Sequence, residues 1–250
     1  MSLHLTFTLC ARTAWPEAQD QFRQLEEIAG LLQPQLPDNL SILIFYLDGV
    51  IQQGTGNLSR ALQIFQSPSL ALSNPAPSRL QHDLAILSIL STLLIIRSPT
   101  HPSHHRVPAL LSSLEALHLS PTTSNKSLLA ATHLLLATAT RGSTIVRTKQ
   151  HLQFALQAAK QASNNQLMCM TLNFMSWKFF RGVVGDQAEK SARASQNLAR
   201  KGMDRLWASV AAGVLSDTLE VMGRVAEAEE VRREGREIAK TLPPAMLRES

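Results

Sequence analysis

Gly185-Asp186-Gln187-Ala188-Glu189 and Gly223-Arg224-Val225-Ala226-Glu227-Ala228 read as one junction met twice, each between two amphipathic helical stretches in the last third of the chain. Followed outward, the surrounding helix pair recurs about every 40 residues. A period of that length marks a solenoid of stacked helical hairpins, because one hairpin alone cannot bury its apolar face. Chains of this build usually hold a partner rather than turn over a substrate.

The rest of the 250 residues agree with that reading. Hydrophobic content is 44%, charged content 17% and aromatic content only 5%, which gives a chain apolar enough to fold throughout. Abundant Leu, Ala and Ser suit closely packed helices better than a β-sandwich. Apolar residues at three- and four-residue spacing predict about twelve helices in six pairs. The pairs fall at 3–14 and 16–32, 40–53 and 58–66, 79–96 and 107–119, 126–140 and 145–163, 165–180 and 186–200, and 204–222 and 225–242. The expected architecture is an all-α, right-handed α-solenoid of TPR-like hairpins forming one domain over 1–250. Two stretches rich in Ser and Pro, about 67–78 and 98–106, are expected to be its weakly ordered loops.

Within the second helices, Ala18, Ala61, Ala109, Thr148, Lys190 and Ala228 align at spacings of 43, 48, 39, 42 and 38. A large residue stands four positions later in three pairs, as Phe22, Phe65 and Leu152. A small residue lets two helices approach, and the bulky one fills the groove a turn further on. This is the physical content of the tetratricopeptide pattern, whose idealised period is about 34 residues. Gly49, Gly56, Leu58, Ala61 and Phe65 match it best.

Charge is uneven. Residues 1–125 carry 6 Lys/Arg against 8 Asp/Glu, and residues 126–250 carry 18 against 11. A basic half can attract nucleic acid, yet most of these cations sit beside acids, as in Glu229-Glu230-Val231-Arg232-Arg233-Glu234. Solvated helix faces are therefore the favoured reading, with direct DNA binding through Arg181, Arg193 and Arg205 as the competing one. Cys10 and Cys169 are far apart, which gives neither a disulfide framework nor a CxxC site and points to a reducing, intracellular setting. The apolar runs 84–96 and 128–139 are too short to span a bilayer and end at Arg97 and near Arg141. The N-terminal Met1-Ser2-Leu3-His4-Leu5-Thr6-Phe7 lacks a secretory n-region and reads as a helix under way.

Motifs for catalysis are missing. Gly54-Thr55-Gly56-Asn57-Leu58-Ser59 comes after a helix rather than a strand and ends in Ser, so it is a helix-to-helix turn and not a dinucleotide fingerprint. GxxxxGK[ST], HExxH and GxSxG do not occur. His101, His104 and His105 form the one metal-like cluster, but no Cys, Asp or Glu stands nearby to complete a tetrahedral site. The expectation is no enzyme, no metal, no cofactor and no small-molecule substrate.

Aromatic and basic residues do meet: Trp177, Phe179 and Phe180 beside Lys178 and Arg181, then Arg205 and Trp207 at the start of the next hairpin. Trp177, Lys178, Arg181, Arg205 and Trp207 are the candidate partner-binding residues. Indole area would anchor an extended acidic-aromatic peptide and the cations would add charge-assisted hydrogen bonds. Packing between hairpins is the favoured alternative for Phe179 and Trp207, whereas Lys178, Arg181 and Arg205 are more open to a partner.

A family resemblance rests on ordered blocks. Asn165-Gln166-Leu167-Met168-Cys169-Met170-Thr171-Leu172, Val183-Val184-Gly185-Asp186-Gln187-Ala188-Glu189-Lys190-Ser191-Ala192, Asp204-Arg205-Leu206-Trp207-Ala208-Ser209-Val210 and Met222-Gly223-Arg224-Val225-Ala226-Glu227-Ala228 resemble the C-terminal repeats of the smaller, tetratricopeptide subunit of the cohesin loader, fungal type. The match is clearest over 149–242 and looser over 1–97. The resemblance implies a non-enzymatic, nuclear, chromatin-associated scaffold. Its superhelix would wrap an extended N-terminal segment of the large HEAT-repeat subunit and meet cohesin and chromatin through the complex, in sister chromatid cohesion. Members of that family are usually much longer, so the resemblance further implies a C-terminal portion or short form. The alternative is a generic TPR adaptor that binds a short peptide of an unrelated partner.

Overall fold

Helix-forming residues with apolar faces three and four apart leave one way to bury those faces, which is against the next helix along the chain. The computed structural model describes residues 10, 14–32, 38–66, 79–96, 100–118, 125–139, 145–180 and 185–242. Among them are eleven α-helices, packed in sequential pairs, and no strand. Contacts divide the chain into two compact units, residues 1–132 and 133–250.

The first unit holds α1 (Trp15–Leu32), α2 (Asp38–Gly54), α3 (Leu58–Phe65), α4 (Arg79–Ile96) and α5 (Val107–His118). α6 (Lys126–Ala139) crosses the division, and the second unit continues with α7 (Ile145–Gln161) and α8 (Asn165–Phe174). It ends with α9 (Gly185–Lys201), α10 (Arg205–Val221) and α11 (Val225–Lys240). α8 runs on as a π-helical segment, Met175–Phe180. With the π-helical segment counted as the end of α8, every described helix end lies within two residues of its sequence-based bound. The expected helix 3–14 lies outside the described residues except for Cys10, which is helical, and Ala14. The stretch 67–78 also lies outside them, whereas 100–106 contains a 3-10 turn at His104–Arg106.

In the first unit, Cys10, Ala18, Phe22, Leu25, Leu47 and Ile51 form a core with Trp15 and Ile44 packed against it. The α2–α3 hairpin closes by a ring on a glycine. A β-carbon added at Gly49 would overlap the buried Phe65 ring, and one at Gly54 would overlap Trp15. Burial of a ring of that size contributes roughly 1.5–3 kcal/mol.

Four described corners share one backbone solution. Gly56, Ser163, Met203 and Gly223 have φ of 83, 50, 54 and 79°. The next residue donates its N–H five residues back: Asn57 to Gln52 (2.8 Å), Asn164 to Ala159 (2.9 Å), Asp204 to Ala199 (3.0 Å) and Arg224 to Leu219 (2.9 Å). This is a Schellman ending. The carbonyl of that same residue then accepts the first bond of the next helix, as in Ala61 N–H to Asn57 (3.0 Å) and Ala228 N–H to Arg224 (3.0 Å). Asn164 and Asp204 also cap with their side chains, accepting from the Leu167 and Trp207 N–H groups at 3.0 Å each.

The second unit corrects the register read from the glycines. Ser176 Oγ donates to the Ala188 carbonyl at 2.8 Å, and Ser216 Oγ donates to the Ala228 carbonyl at 2.9 Å. The caps Asn164 and Asp204 repeat at the same offset, as do the bonded positions 169/195 and 209/235, with donor and acceptor exchanged: Ser195 Oγ donates to the Cys169 carbonyl and Ser209 Oγ to the Gly235 carbonyl, both 3.0 Å. Each pair is offset by 40 residues, so Ala188 is the counterpart of Ala228. Ala188 is completely buried and Lys190, assigned the small-residue position from sequence, is exposed. Ala109 is also exposed, while Ala18 and Ala61 are buried as expected. Gly185 and Gly223 are not equivalent: Gly223 takes the left-handed corner, and Gly185 opens α9 with ordinary backbone against the Met222 side chain.

Candidate partner-binding surface

α8 and α10 lie side by side, each the first helix of its pair, and run the same way because α9 returns between them. Ser176 and Thr218 mark equal heights, with their hydroxyl oxygens 3.3 Å apart. In the 40-residue register set by the Ser176 and Ser216 bonds, positions 166, 170, 173 and 177 on α8 and its π-helical extension correspond to 206, 210, 213 and 217 on α10. Of these, Val210, Gly213 and Trp177 are exposed, Gln166, Met170, Leu206 and Asp217 are partly exposed, and Asn173 is buried. The open face is thus a stripe of mixed apolar and polar character.

Trp177 stands at one end of it, 43% exposed, with Lys178 Nζ 4.0 Å from the ring centroid. A cation over an exposed indole contributes roughly 0.5–1 kcal/mol. Both residues sit on the π-helical segment, where α8 departs from the regular geometry that α10 keeps through Val221. Single π turns inside helices concentrate at functional sites.

Arg205 and Trp207 do not join this pair. They open α10, and Trp207 lies roughly 16 Å from Thr218 along a helix rising 1.5 Å per residue. Arg205 is exposed and makes no ion pair among the described residues. Trp207 is half-buried against Cys169, Ala199, Ala208 and Ala211, so its indole belongs largely to the core. Arg181 and the side chains of Phe179 and Phe180 lie outside the described residues.

The second helices present a different surface. Glu189 bonds Arg193 at 2.8 Å and Arg224 at 2.7 Å; Glu227 bonds Arg224 at 2.5 Å and lies 3.3 Å from Arg193. Arg200 pairs with Glu234 two turns further along, and Arg232 pairs with Glu220 at 2.6 Å and with Glu229. The hydrogen bond from Arg224 holds the Glu227 carboxyl below its ordinary value against an opposing desolvation, with the charges of Arg224 and Arg193 acting in the same sense as the bond. Arg193, one candidate for DNA contact, is committed to this lattice. The histidines bond to nearby backbone groups. His101 Nδ1 accepts from the Ser103 N–H, while the Nδ1–H groups of His104 and His105 donate to the Ile96 and Pro102 carbonyls.

The sequence singles out Trp177 and Lys178 as candidates and does not single out Met170, Leu206 and Val210, which share the open face. The signal for these was the 40-residue register, which places them in pairs on adjacent helices. Among the described residues no helix is long and apolar enough to cross a membrane.

Stacked helical pairs with one ion-paired face and one open, partly apolar face define a helical-repeat protein. No curated protein and no solved structure matches the chain. The family model for cohesin loading factor does match, over residues 1–226, and the chain belongs to that family.

Proposed function

We propose that this chain is a non-enzymatic scaffold subunit of a cohesin-loading complex in the nucleus. It holds an extended segment of the large HEAT-repeat loader subunit and thereby supports cohesin loading onto chromatin and sister chromatid cohesion. The observation that carries this reading is the family match across 1–226, laid on an array of paired helices. The open face of α8 and α10 supports the mode of binding. Trp177 and Lys178 anchor the segment at one end and Arg205 engages it near the other. Trp207 contributes by fixing the start of α10.

An extended partner loses conformational freedom on binding, so affinity has to accumulate over many contacts along its length. Co-purification of the 250-residue chain with the large subunit tests the reading directly. A retained complex is expected, with affinity falling stepwise as the partner segment is trimmed. Tight binding retained by a single peptide of about five to ten residues would favour the short-peptide adaptor instead. No association at all would remove the scaffold reading. Trp177→Ala is expected to weaken the complex by about tenfold or more, the scale of an interface hot spot.

A further inference from the structure

We infer that the cavity between α1 and α2 binds a lysine or arginine side chain carried on an extended peptide. The inference rests on the scaffold reading for the source of that peptide, and on the cavity itself for the side chain.

The cavity measures about 250 Å³ and is walled by Phe22, Ala29 and Gly30 from α1 and Ile44 and Phe45 from α2. That is below the roughly 300–1,000 Å³ of small-molecule sites and suits one long side chain. Phe45 is 44% exposed, and a β-carbon added at Gly30 would meet nothing within 4 Å, so the wall is open to an incoming group. Glu26 and Asp48 enter the same cavity from the two helices, with Arg60 as its one cation. Neither carboxylate forms an ion pair among the described residues; Asp48 Oδ1 accepts only a neutral amide, Gln52 Nε2, at 3.0 Å. Burial, then the charge of Asp48, raises the Glu26 carboxyl above its ordinary value.

Two acids against one cation leave a net negative cavity, with Glu26 exposed and Asp48 partly exposed, so an incoming cation can reach both and offset the repulsion between them. The apolar wall selects the kind of cation. A hydrated metal ion gains nothing from Phe22, Ile44 and Phe45, whereas the methylene stem of Lys or Arg packs along them and leaves its charged head at the carboxylates. Arg is also a frequent anchor in buried interface pockets.

The test uses the full chain and N-acetyl-arginine amide, with N-acetyl-citrulline amide as the neutral isostere, read by NMR at the Glu26 and Asp48 carboxyl carbons. Arginine amide is expected to shift both resonances and to bind roughly tenfold more tightly than citrulline amide, as a charge-assisted pair requires. The variant E26Q/D48N should lose that preference. Equal binding of the two probes, or an undiminished preference in the variant, overturns the inference. Overlapping peptides from the large subunit's extended segment form the second arm. A basic peptide that binds wild type and loses about tenfold on E26Q/D48N supports the cavity as part of the partner interface. Peptides that bind both proteins equally overturn that role and leave the scaffold reading standing. Arginine binding with no peptide binding does the reverse.

Discussion

In the α2–α3 hairpin a ring fills the space left by a missing side chain, Phe65 on Gly49; in α8–α9 and α10–α11 a serine hydroxyl bonds a carbonyl of the facing helix. The corners are alike, with Gly56 and Gly223 both left-handed and succeeded by the same backbone bonds. One connection therefore serves two kinds of closure. The apolar closure depends on exclusion, since any atom on Gly49 meets the ring. The polar closure depends on one donor in register, which helps explain why the last two hairpins repeat at a constant 40 residues while Ala18 and Ala61 are 43 apart.

The largest effect is expected at the apolar closure. Gly49→Ala should destabilise the first unit by about 1–3 kcal/mol through overpacking, measured by urea denaturation. Burial pushes both the Cys10 and Cys169 thiols up to about 11, so labelling with a thiol reagent at pH 8 reports opening of each core. Gly49→Ala should speed labelling of Cys10 and leave Cys169 unchanged; equal acceleration would show that the two closures are not separable.

Next come the two glycines that look alike in sequence. Gly223→Ala forces an L side chain into left-handed backbone and should cost about 1–2 kcal/mol. Gly185→Ala meets only the flexible Met222 chain, and the gain in helix propensity, up to about 1 kcal/mol, should make it neutral or stabilising. Opposite signs in thermal melts are expected, and matching losses would restore the equivalence that the structure removes.

Ser176→Ala and Ser216→Ala should each cost about 1 kcal/mol, the worth of one hydrogen bond. Ser176 also meets Thr218, so its replacement should be the more damaging of the two. A neutral outcome at both positions would mean that close packing alone holds these hairpins.

The ion-pair lattice should give the smallest effect. Because the Glu227 carboxyl is lowered in the folded state, its contribution is present at neutral pH and is lost as pH falls below the ordinary glutamate range and through the lowered value. The acid-induced fall in Tm should shrink in about 1 M salt, where exposed pairs are screened. A salt-independent acid transition would place its cause elsewhere.

Helix bounds were legible because apolar spacing and turn residues are local properties. The register was not, because a glycine can serve a left-handed corner or a close contact within a helix, and its letter is the same in both. Gly185 and Gly223 differ in that respect, and a two-residue error resulted, shifting the small position from Ala188 to Lys190. At the candidate surface, Trp177 and Trp207 both stand beside cations in sequence. Tertiary packing separates them, leaving Trp177 exposed and setting Trp207 against Cys169, Ala199, Ala208 and Ala211. The cavity at Glu26 and Asp48 was invisible for a related reason, since its acids come from different helices.

Asn57, Asn164, Asp204 and Arg224 each finish one helix and begin the next, so these corners contain no spare residue. One inserted residue would turn the next helix by about 100° about its axis and point its buried stripe at water. Tolerance of length change in this chain should therefore be discontinuous, forbidden at these four positions and confined to longer connections. The spacing between hairpins can drift across relatives only where a connection does not already cap the helix after it.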